Sequence, residues 1–244
     1  LDSRGRLWIA WVSDRDDVKG EIYLSSSTDG SWFSRPVRVT DNQAADRYPC
    51  IITTRDGLAL YWSSFTFLSQ EGGALPVSRL MVSTSTDGLN WSTPQEASQA
   101  YWDQEPSAFV DQTGEFWLAW SSIRQMEVEE TPSGTKNGQN HPETESLPGS
   151  DIWFRRSLGG SWSPPQRVTD AWAADESPSI ILDQRGHVWV FWYSESRTPL
   201  GEILCAEMSP RMGGGRTLID LPPWVVALTI ASLLVILIIL ILKR

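Results

Sequence analysis

Histidine, cysteine and clustered basic residues are scarce in this sequence of 244 residues. The two histidines, His141 and His187, are too few for a zinc site or a histidine-based catalytic triad. The two cysteines, Cys50 and Cys205, fall in different repeats, so we infer no disulfide and interpret both as small buried hydrophobic residues. The sequence therefore predicts neither a metal site nor a cofactor.

The charge balance is acidic, with a net charge of -10 at pH 7 and a pI of about 4.7. Binding to nucleic acid phosphates needs clustered lysine and arginine, which this chain lacks, so a nucleic acid partner is excluded. Acidity by itself names no other partner. The 14 tryptophans and the hydrophobic content of 41% are enough to bury the core of one all-β domain with an appendage.

A short corner motif recurs along the chain. The best copy is Ser85–Trp91, a shorter copy is Ser27–Trp32, and Ser157–Trp162 is a degraded one. In such a corner, serine and aspartate oxygens accept backbone N–H bonds, glycine takes a positive φ, and tryptophan packs beneath the turn. The residues predicted to build the two better corners are Ser27, Asp29, Gly30, Trp32, Ser85, Asp87, Gly88 and Trp91.

Tryptophan pairs indicate how the strands pack. Trp8 and Trp11 recur as Trp117 and Trp120, and again near the C-terminus as Trp189 and Trp192. Residues three apart on a strand point to opposite faces, so these strands lie between two other sheets. Four such units of roughly 50 to 70 residues favour a propeller over a sandwich. The first unit lacks its first strand, and the fourth ends after Ala206 without a last strand.

The Ser-x-Asp-Gly-x-x-Trp corner resembles the Asp-box, or bacterial neuraminidase, repeat, and residues 1–208 resemble part of a sialidase-type propeller. The expected fold is thus all-β, a partial sialidase-like β-propeller of four-stranded blades, followed by one C-terminal transmembrane helix. Sialidase propellers have six blades, so either blades are missing or the assembly is divergent. The resemblance implies that the corners are structural and that any site lies on the opposite rim.

On that rim the pattern Asp-x-x-Pro occurs three times, at 46–49, 103–106 and 175–178. Because the aspartate stands at every junction, we interpret it as a turn-forming residue rather than a catalyst. Arg47-Tyr48-Pro49 resembles the Arg-Ile-Pro motif whose arginine binds the sialic acid carboxylate in sialidases. A guanidinium suits a carboxylate because two parallel N–H bonds form at once. The alternative is that Arg47 pairs with a neighbouring aspartate.

Residues that differ between units, aromatic residues before the junctions and arginines after the second strands are the other candidates for ligand binding. A sialidase also needs two further arginines, a tyrosine activated by glutamate and an acidic acid/base, and the sequence assigns none of these. The tryptophans have core packing as the alternative role. The full candidate set is Arg47, Tyr48, Glu105, Glu176, Trp102, Trp172, Arg124 and Arg197.

The C-terminal part carries a long apolar run, residues 224–242, after a linker at 209–223 and before a tail of two residues, 243–244. At about 1.5 Å per residue the run spans roughly 28 Å, which predicts one membrane crossing. We favour an extracellular propeller, with a cytosolic domain on a tail anchor as the alternative.

These features favour a membrane-anchored surface module that binds glycan or protein through the rim carrying Arg47, Glu105 and Glu176. The alternative is a sialidase-like glycoside hydrolase. An arginine cluster converging on one pocket favours the hydrolase, and a flat acidic rim favours binding.

Overall fold

The computed structural model describes residues 1–16, 18–70, 73–98, 100, 102–123, 149–170, 174–196, 201–208 and 218–219. Within these ranges, no helix is long and apolar enough to cross a membrane. The predicted membrane span at 224–242 lies outside the described residues, as do Arg124, Trp172 and Arg197.

The described residues form four antiparallel sheets that follow one another in sequence, two of them four-stranded, which confirms the prediction of an all-β protein containing four-stranded units. We call them blades 1 to 4, and their arrangement is consistent with a partial propeller. Blade 1 contains β1 (Leu7–Ser13), β2 (Glu21–Ser27) and β3 (Val37–Arg38). Blade 2 contains β4 (Ala45–Thr53), β5 (Leu58–Gln70), β6 (Gly73–Ser85) and β7 (Gln95–Glu96).

Blades 3 and 4 continue the series. Blade 3 contains β8 (Asp103–Val110), β9 (Phe116–Ile123), β10 (Ser150–Leu158), β11 (Ser161–Trp162) and β12 (Gln166–Arg167). Blade 4 contains β13 (Asp175–Leu182), β14 (Val188–Ser194), β15 (Glu202–Met208) and β16 (Leu218–Ile219).

The two outer blades differ in completeness. Blade 1 has three strands among the described residues, in line with the missing first strand that the sequence predicts. Blade 4 departs from the prediction, because the short strand β16 pairs with β15 through Cys205 and Ala206. The expectation that the fourth unit ends without a last strand was therefore wrong. A strand of two residues carries too little alternating pattern to be recognised in sequence.

The tryptophan pair of β9 packs on both sides of its blade. Trp117 lies in a buried cluster with Trp192 of blade 4, whereas Trp120 lies in a second cluster with Ala59 and Leu80 of blade 2. This confirms that the strand is apolar on both faces because sheets cover it on both sides. Burial between blades is thus the main source of core packing.

The first tryptophan of each pair is fastened by the turn before it. Trp117 donates its indole N–H to Asp111 at 3.0 Å, while the Asp111 carbonyl accepts the N–H of Gly114 at 3.0 Å. Gly114 has a φ of 90°, which glycine adopts without steric cost. The same indole bond joins Trp8 to Asp2 and Trp189 to Asp183. The turns at Asp2–Gly5, at Thr113-Gly114 and at Arg185-Gly186 were predicted from the sequence, but the bond from each aspartate to the tryptophan was not.

The second corner forms the predicted hydrogen bonds. Ser85 Oγ accepts the N–H of Gly88 at 2.8 Å, and Asp87 Oδ1 accepts the N–H groups of Leu89 and Asn90, each at 2.8 Å. The bond from the Asn90 backbone, followed by the Asn90 side chain and the Leu89 backbone, holds the pKa of Asp87 well below its usual range.

The first corner corrects the predicted role of Trp32, whose side chain is 83% exposed. The Trp32 N–H donates to Asp29 Oδ1 at 3.0 Å, as the Asn90 N–H does to Asp87. Ser34 Oγ accepts the Ser26 N–H and closes the corner, just as Ser92 Oγ accepts the Thr84 N–H in the second corner. The first copy is therefore full length, and Phe33, not Trp32, occupies the aromatic position.

The third corner lacks the aspartate but keeps a carboxylate. Glu115, at the turn before β9, accepts the Ser157 hydroxyl at 2.5 Å and the Gly159 N–H at 2.9 Å. Trp162 packs against Phe116, with ring centroids 6.3 Å apart, and under the Arg155 guanidinium at 4.2 Å. A glutamate more than 40 residues earlier in the chain thus replaces the missing corner aspartate.

Candidate functional site

The three Asp-x-x-Pro segments are β-bulges inside the first strands of blades 2 to 4, which corrects their interpretation as turns. The third residue of each segment has a left-handed backbone, with φ of 53° at Tyr48, 55° at Glu105 and 53° at Ser177. Each such residue costs on the order of 1 kcal/mol, and strain of this kind concentrates at functional sites. The rim that carries these bulges is therefore the candidate functional site.

The aspartates of these segments are buried anchors. Asp46 is fully buried and accepts the indole N–H of Trp62 at 3.0 Å, the hydroxyl of Ser64 at 2.6 Å and the side-chain amide of Asn42 at 2.7 Å. Its pattern-matched counterparts are buried too, with 2% exposure at Asp103 and 1% at Asp175. The hydrogen bonds of Asp46 give it a structural role, which is to hold a bulge rather than a turn.

Glu105 connects three blades. Its own N–H donates to Ser63 Oγ of blade 2 at 2.9 Å. Its carboxylate accepts the Ser121 hydroxyl of blade 3 at 3.2 Å and the Ser177 N–H of blade 4 at 2.6 Å. A half-buried carboxylate with these donors is fixed in one orientation at the rim.

Further acidic groups surround Glu105. Partial desolvation, then the negative charges of Glu105 and Glu195, raise the pKa of the exposed Glu176. Tyr193, which lies opposite Glu176 in the strand register, donates its hydroxyl to Glu195 at 3.3 Å. Desolvation and the Glu195 charge raise the pKa of Tyr193. The blade 4 side of the rim is therefore acidic, with a protonated phenol among carboxylates.

Arg47 and Tyr48 occupy the blade 2 side of the rim. Tyr48 is 47% exposed, and its ring centroid lies 6.4 Å from that of Phe65. The Arg47 guanidinium lies against Gly20 of blade 1, so closely that a Cβ at Gly20 would meet Nη1 at 1.8 Å. Arg15, from the same rim, stacks on Tyr23 at 3.9 Å. Among the described residues, no group of arginines converges on one pocket.

Trp102 lies where blades 2 and 3 meet. It forms an isolated parallel bridge with Ser78, and its carbonyl accepts the Ile123 N–H at 3.1 Å. The side chain of Trp102 is half-buried, and the contacts that fix the residue are those of its backbone.

The serines that bind Glu105 were missed in the sequence. Ser63 and Ser121 occupy the same register position, opposite Arg47 and Gln104. Both stand in a Trp-Ser-Ser triplet, which is the signal that sequence reasoning could have used. In blade 4 the same register position is occupied by Tyr193 instead of serine. Aligning the repeats therefore identifies this position as one that differs between blades.

No family model matches the chain, and no curated protein matches its sequence. Among solved structures, a protein of unknown function from Dyadobacter fermentans is 15% identical with a TM-score of 0.61, over 89% of this chain and 65% of that one. Trypanosoma rangeli sialidase is 13% identical with a TM-score of 0.56, over 89% of this chain and 36% of that one. A thermostable family-43 glycoside hydrolase is 14% identical with a TM-score of 0.54, over 89% and 74%.

At this level of identity the likeness establishes the fold alone. The propeller neighbours confirm that the described part of the chain has a sialidase-like, propeller-type fold. The chain spans less than two thirds of the Dyadobacter protein and about a third of the sialidase. Membership of the Asp-box family stays a prediction.

Proposed function

We propose that this chain is a glycan-binding propeller module, and that its rim takes neutral saccharides. The observation that carries the proposal is the grouping of Glu105 and Glu195 near Glu176, which lies opposite Tyr193 in the strand register. Carboxylates accept hydrogen bonds from sugar hydroxyls, and charge-assisted bonds of this kind are the strong ones. The exposed ring of Tyr48 adds a face on which a pyranose stacks.

The acidic rim disfavours sialic acid, because like charges repel at short range. Arg47 is the residue that the sequence assigns to a carboxylate ligand, and it lies against Gly20, at the junction of blades 1 and 2. A neutral glycan satisfies the carboxylates of blades 3 and 4 without opposing their charge. A flat acidic surface was the feature expected of a binding module.

The direct test is binding of the full chain to an array of neutral and sialylated oligosaccharides. The detergent must lack a sugar headgroup, since such a headgroup would compete for the rim. We expect Tyr48→Ala to weaken binding of neutral glycans by about tenfold, in keeping with the loss of one stacking contact. Trp32→Ala is the matched control, because it removes an exposed aromatic from a corner. Equal binding by both variants would refute the proposed rim site.

Membrane anchorage is a further part of this proposal, and it depends on the apolar run at 224–242. We propose that the propeller is displayed outside the cell. Alkaline carbonate washing of expressing cells should leave the chain in the membrane pellet, and protease added to intact cells should remove the propeller. Release by carbonate would contradict anchorage, and protection from protease would favour a cytosolic domain.

Glycoside hydrolysis is the second candidate, favoured by the hydrogen bond between Tyr193 and Glu195. A tyrosine paired with a glutamate is the nucleophile that a sialidase needs, and Glu176 with its raised pKa is suited to proton donation. The raised pKa of Tyr193 opposes this role, because the phenol stays protonated. Turnover of fluorogenic glycosides, a sialoside included, that Tyr193→Phe abolishes would support the hydrolase.

A further inference from the structure

A groove of about 660 Å³ lies between blades 2 and 3, and it is lined by none of the residues assigned to the proposed rim site. Ser98 and Ala100 of blade 2 form one wall. The blade 3 side is largely aromatic, and Pro164 and Pro165 contribute to its outer part. The chemistry-bearing residues that line the groove are Asp103, Trp120, Trp153, Arg155 and Trp162.

Three of these residues carry a buried polar atom without a hydrogen-bond partner among the described residues. They are Oδ1 of Asp103, Nε1 of Trp120 and Nε of Arg155. Asp103 is 2% exposed and Trp120 is 3% exposed. Leaving a buried donor or acceptor unpaired is costly, so three in one groove indicate a missing partner.

Blade 2 contains an aspartate, a tryptophan and a serine in the same register as Asp103, Trp120 and Ser122, with their hydrogen bonds made. Asp46 lies opposite Ser64 and accepts both the Ser64 hydroxyl at 2.6 Å and the Trp62 indole at 3.0 Å. In blade 3, Asp103 lies opposite Ser122, and Trp120 takes the place of Trp62. Both blades therefore contain the residues for a hydrogen bond between the aspartate and the tryptophan. Blade 2 forms this bond, whereas Asp103 Oδ1 and Trp120 Nε1 of blade 3 remain unpaired among the described residues.

Blade 4 is intermediate. Ser194, Thr169 and Trp192 lie near enough to the Asp175 carboxyl to offset part of the pKa rise that its burial causes. Within the described residues, Oδ1 of Asp175 and Nε1 of Trp192 form no hydrogen bond of normal geometry. Blade 3 differs because its open pair lines a groove that also contains Trp153 and Trp162.

We propose that this groove is a second saccharide site, which takes a single neutral pyranose ring. A hydroxyl both donates and accepts, so one sugar edge can donate to Asp103 Oδ1 while accepting from Trp120 Nε1 and Arg155 Nε. The apolar face of the ring packs on Trp153 or Trp162. Trp162 is held by the Arg155 guanidinium at 4.2 Å and by Phe116, with ring centroids 6.3 Å apart, while it still lines the groove.

Other ligand classes fit the same atoms less well. A quaternary or methylated ammonium suits aromatic residues with a carboxylate, but it offers no acceptor to Trp120 or Arg155. An anion is repelled by Asp103. A hydrocarbon leaves all three polar atoms unpaired. This inference is independent of the rim, because the groove and the rim site have no assigned residue in common.

Saturation-transfer difference NMR on the full chain, with methyl pyranosides of glucose, galactose and mannose as probes, tests the site. Stacking predicts the strongest transfer to the axial protons of one ring face. Trp120→Phe keeps an aromatic ring, removes the N–H and loses the same volume as the control substitution Trp62→Phe, and we expect about tenfold weaker binding, as for one lost hydrogen bond. Trp162→Ala should weaken binding at least as much.

Trp62→Phe in blade 2 is the matched control, since it removes an internal indole bond outside the groove. It should leave pyranoside affinity unchanged, whereas Tyr48→Ala should affect only binding at the rim. Thermal melting identifies any variant that fails to fold, in which case Asp103→Asn replaces it with the same expected loss. Absence of transfer with the folded wild-type chain, transfer that Trp120→Phe and Asp103→Asn leave unchanged, or binding of choline in preference to the pyranosides would overturn the proposal.

Discussion

The carboxylate of Glu105 accepts the backbone N–H of Ser177, 72 residues further along the chain, at 2.6 Å. Both residues have left-handed backbones at equivalent bulges of neighbouring blades. One side chain thus links the strained positions of blades 3 and 4, and it also faces the acidic rim. We therefore expect stability and the proposed glycan binding to depend on the same carboxylate.

Replacing Glu105 by alanine removes this link. We expect a loss of about 1 to 3 kcal/mol in the free energy of unfolding, because the Ser177 and Ser121 donors lose a charged acceptor. Urea denaturation measures the change. Glu96→Gln is the control, since its ion pair with Arg79 is at the surface and should contribute less than about 1 kcal/mol. Equal losses in both variants would contradict the bridging role.

Alanine substitutions at two corner glycines distinguish the cost of a positive φ from the cost of a steric clash. Gly30 and Gly88 have φ of 73° and 77°, but only at Gly88 would a Cβ meet another residue, the Trp8 ring at 2.3 Å. Gly30→Ala should cost about 1 kcal/mol from the positive φ alone. Gly88→Ala should cost about 1 to 3 kcal/mol more because Trp8 must move. Matching denaturation midpoints for the two variants would argue against packing of the corner on blade 1.

The repeat, the strands and the corners could be predicted from sequence because each depends on residues close together in the chain. Trp117 and Trp120 identified a strand covered on both faces without knowledge of what covers it. The first corner was misjudged by one position, since Trp32 is the more conspicuous aromatic and Phe33 is the structural equivalent of Trp91. Local pattern alone does not decide between two adjacent aromatics.

The candidate site was predicted less well, because its contacts join distant parts of the chain. The sequence placed Arg47, Tyr48, Glu105 and Glu176 in turns between units, whereas the structure places them at bulges inside the first strands, and their role in binding stays a prediction. The bonds of Glu105 to the serines of three blades depend on strand register, which spacing did not give. The bond of Glu115 to the third corner, where it replaces the missing aspartate, likewise joins residues distant in the chain and could not be predicted from spacing.

Two tryptophans that differ in burial should differ in their contribution to stability. Trp62 is 1% exposed and bonded to Asp46, whereas Trp32 is 83% exposed. Trp62→Ala should therefore cost about 3 to 5 kcal/mol, and Trp32→Ala should stay within about 0.5 kcal/mol. Thermal and chemical unfolding of both variants provide the comparison. A large effect at Trp32 would show that the first corner is packed by a surface outside the described residues.

Two carboxylates should respond to pH in opposite directions. The raised pKa of Glu176 means that its ionisation disfavours the folded state as pH rises above its ordinary value of 4.5. The lowered pKa of Asp87 means that its stabilisation is present above 3.8 and is lost as pH falls. Melting temperatures across pH 2 to 8 should therefore show Glu176→Gln gaining on the wild type with rising pH, and Asp87→Asn falling behind. The reverse order for either variant would contradict the assigned environment.

Binding of neutral glycan at the acidic rim is tested by comparing one oligosaccharide with and without its terminal sialic acid, titrated calorimetrically into the wild-type chain and into Tyr48→Ala. We expect the neutral form to bind more tightly and Tyr48→Ala to lose that binding. Tighter binding of the sialylated form, unaffected at Tyr48 and lost in Arg47→Ala, would contradict this account and assign the carboxylate site to Arg47.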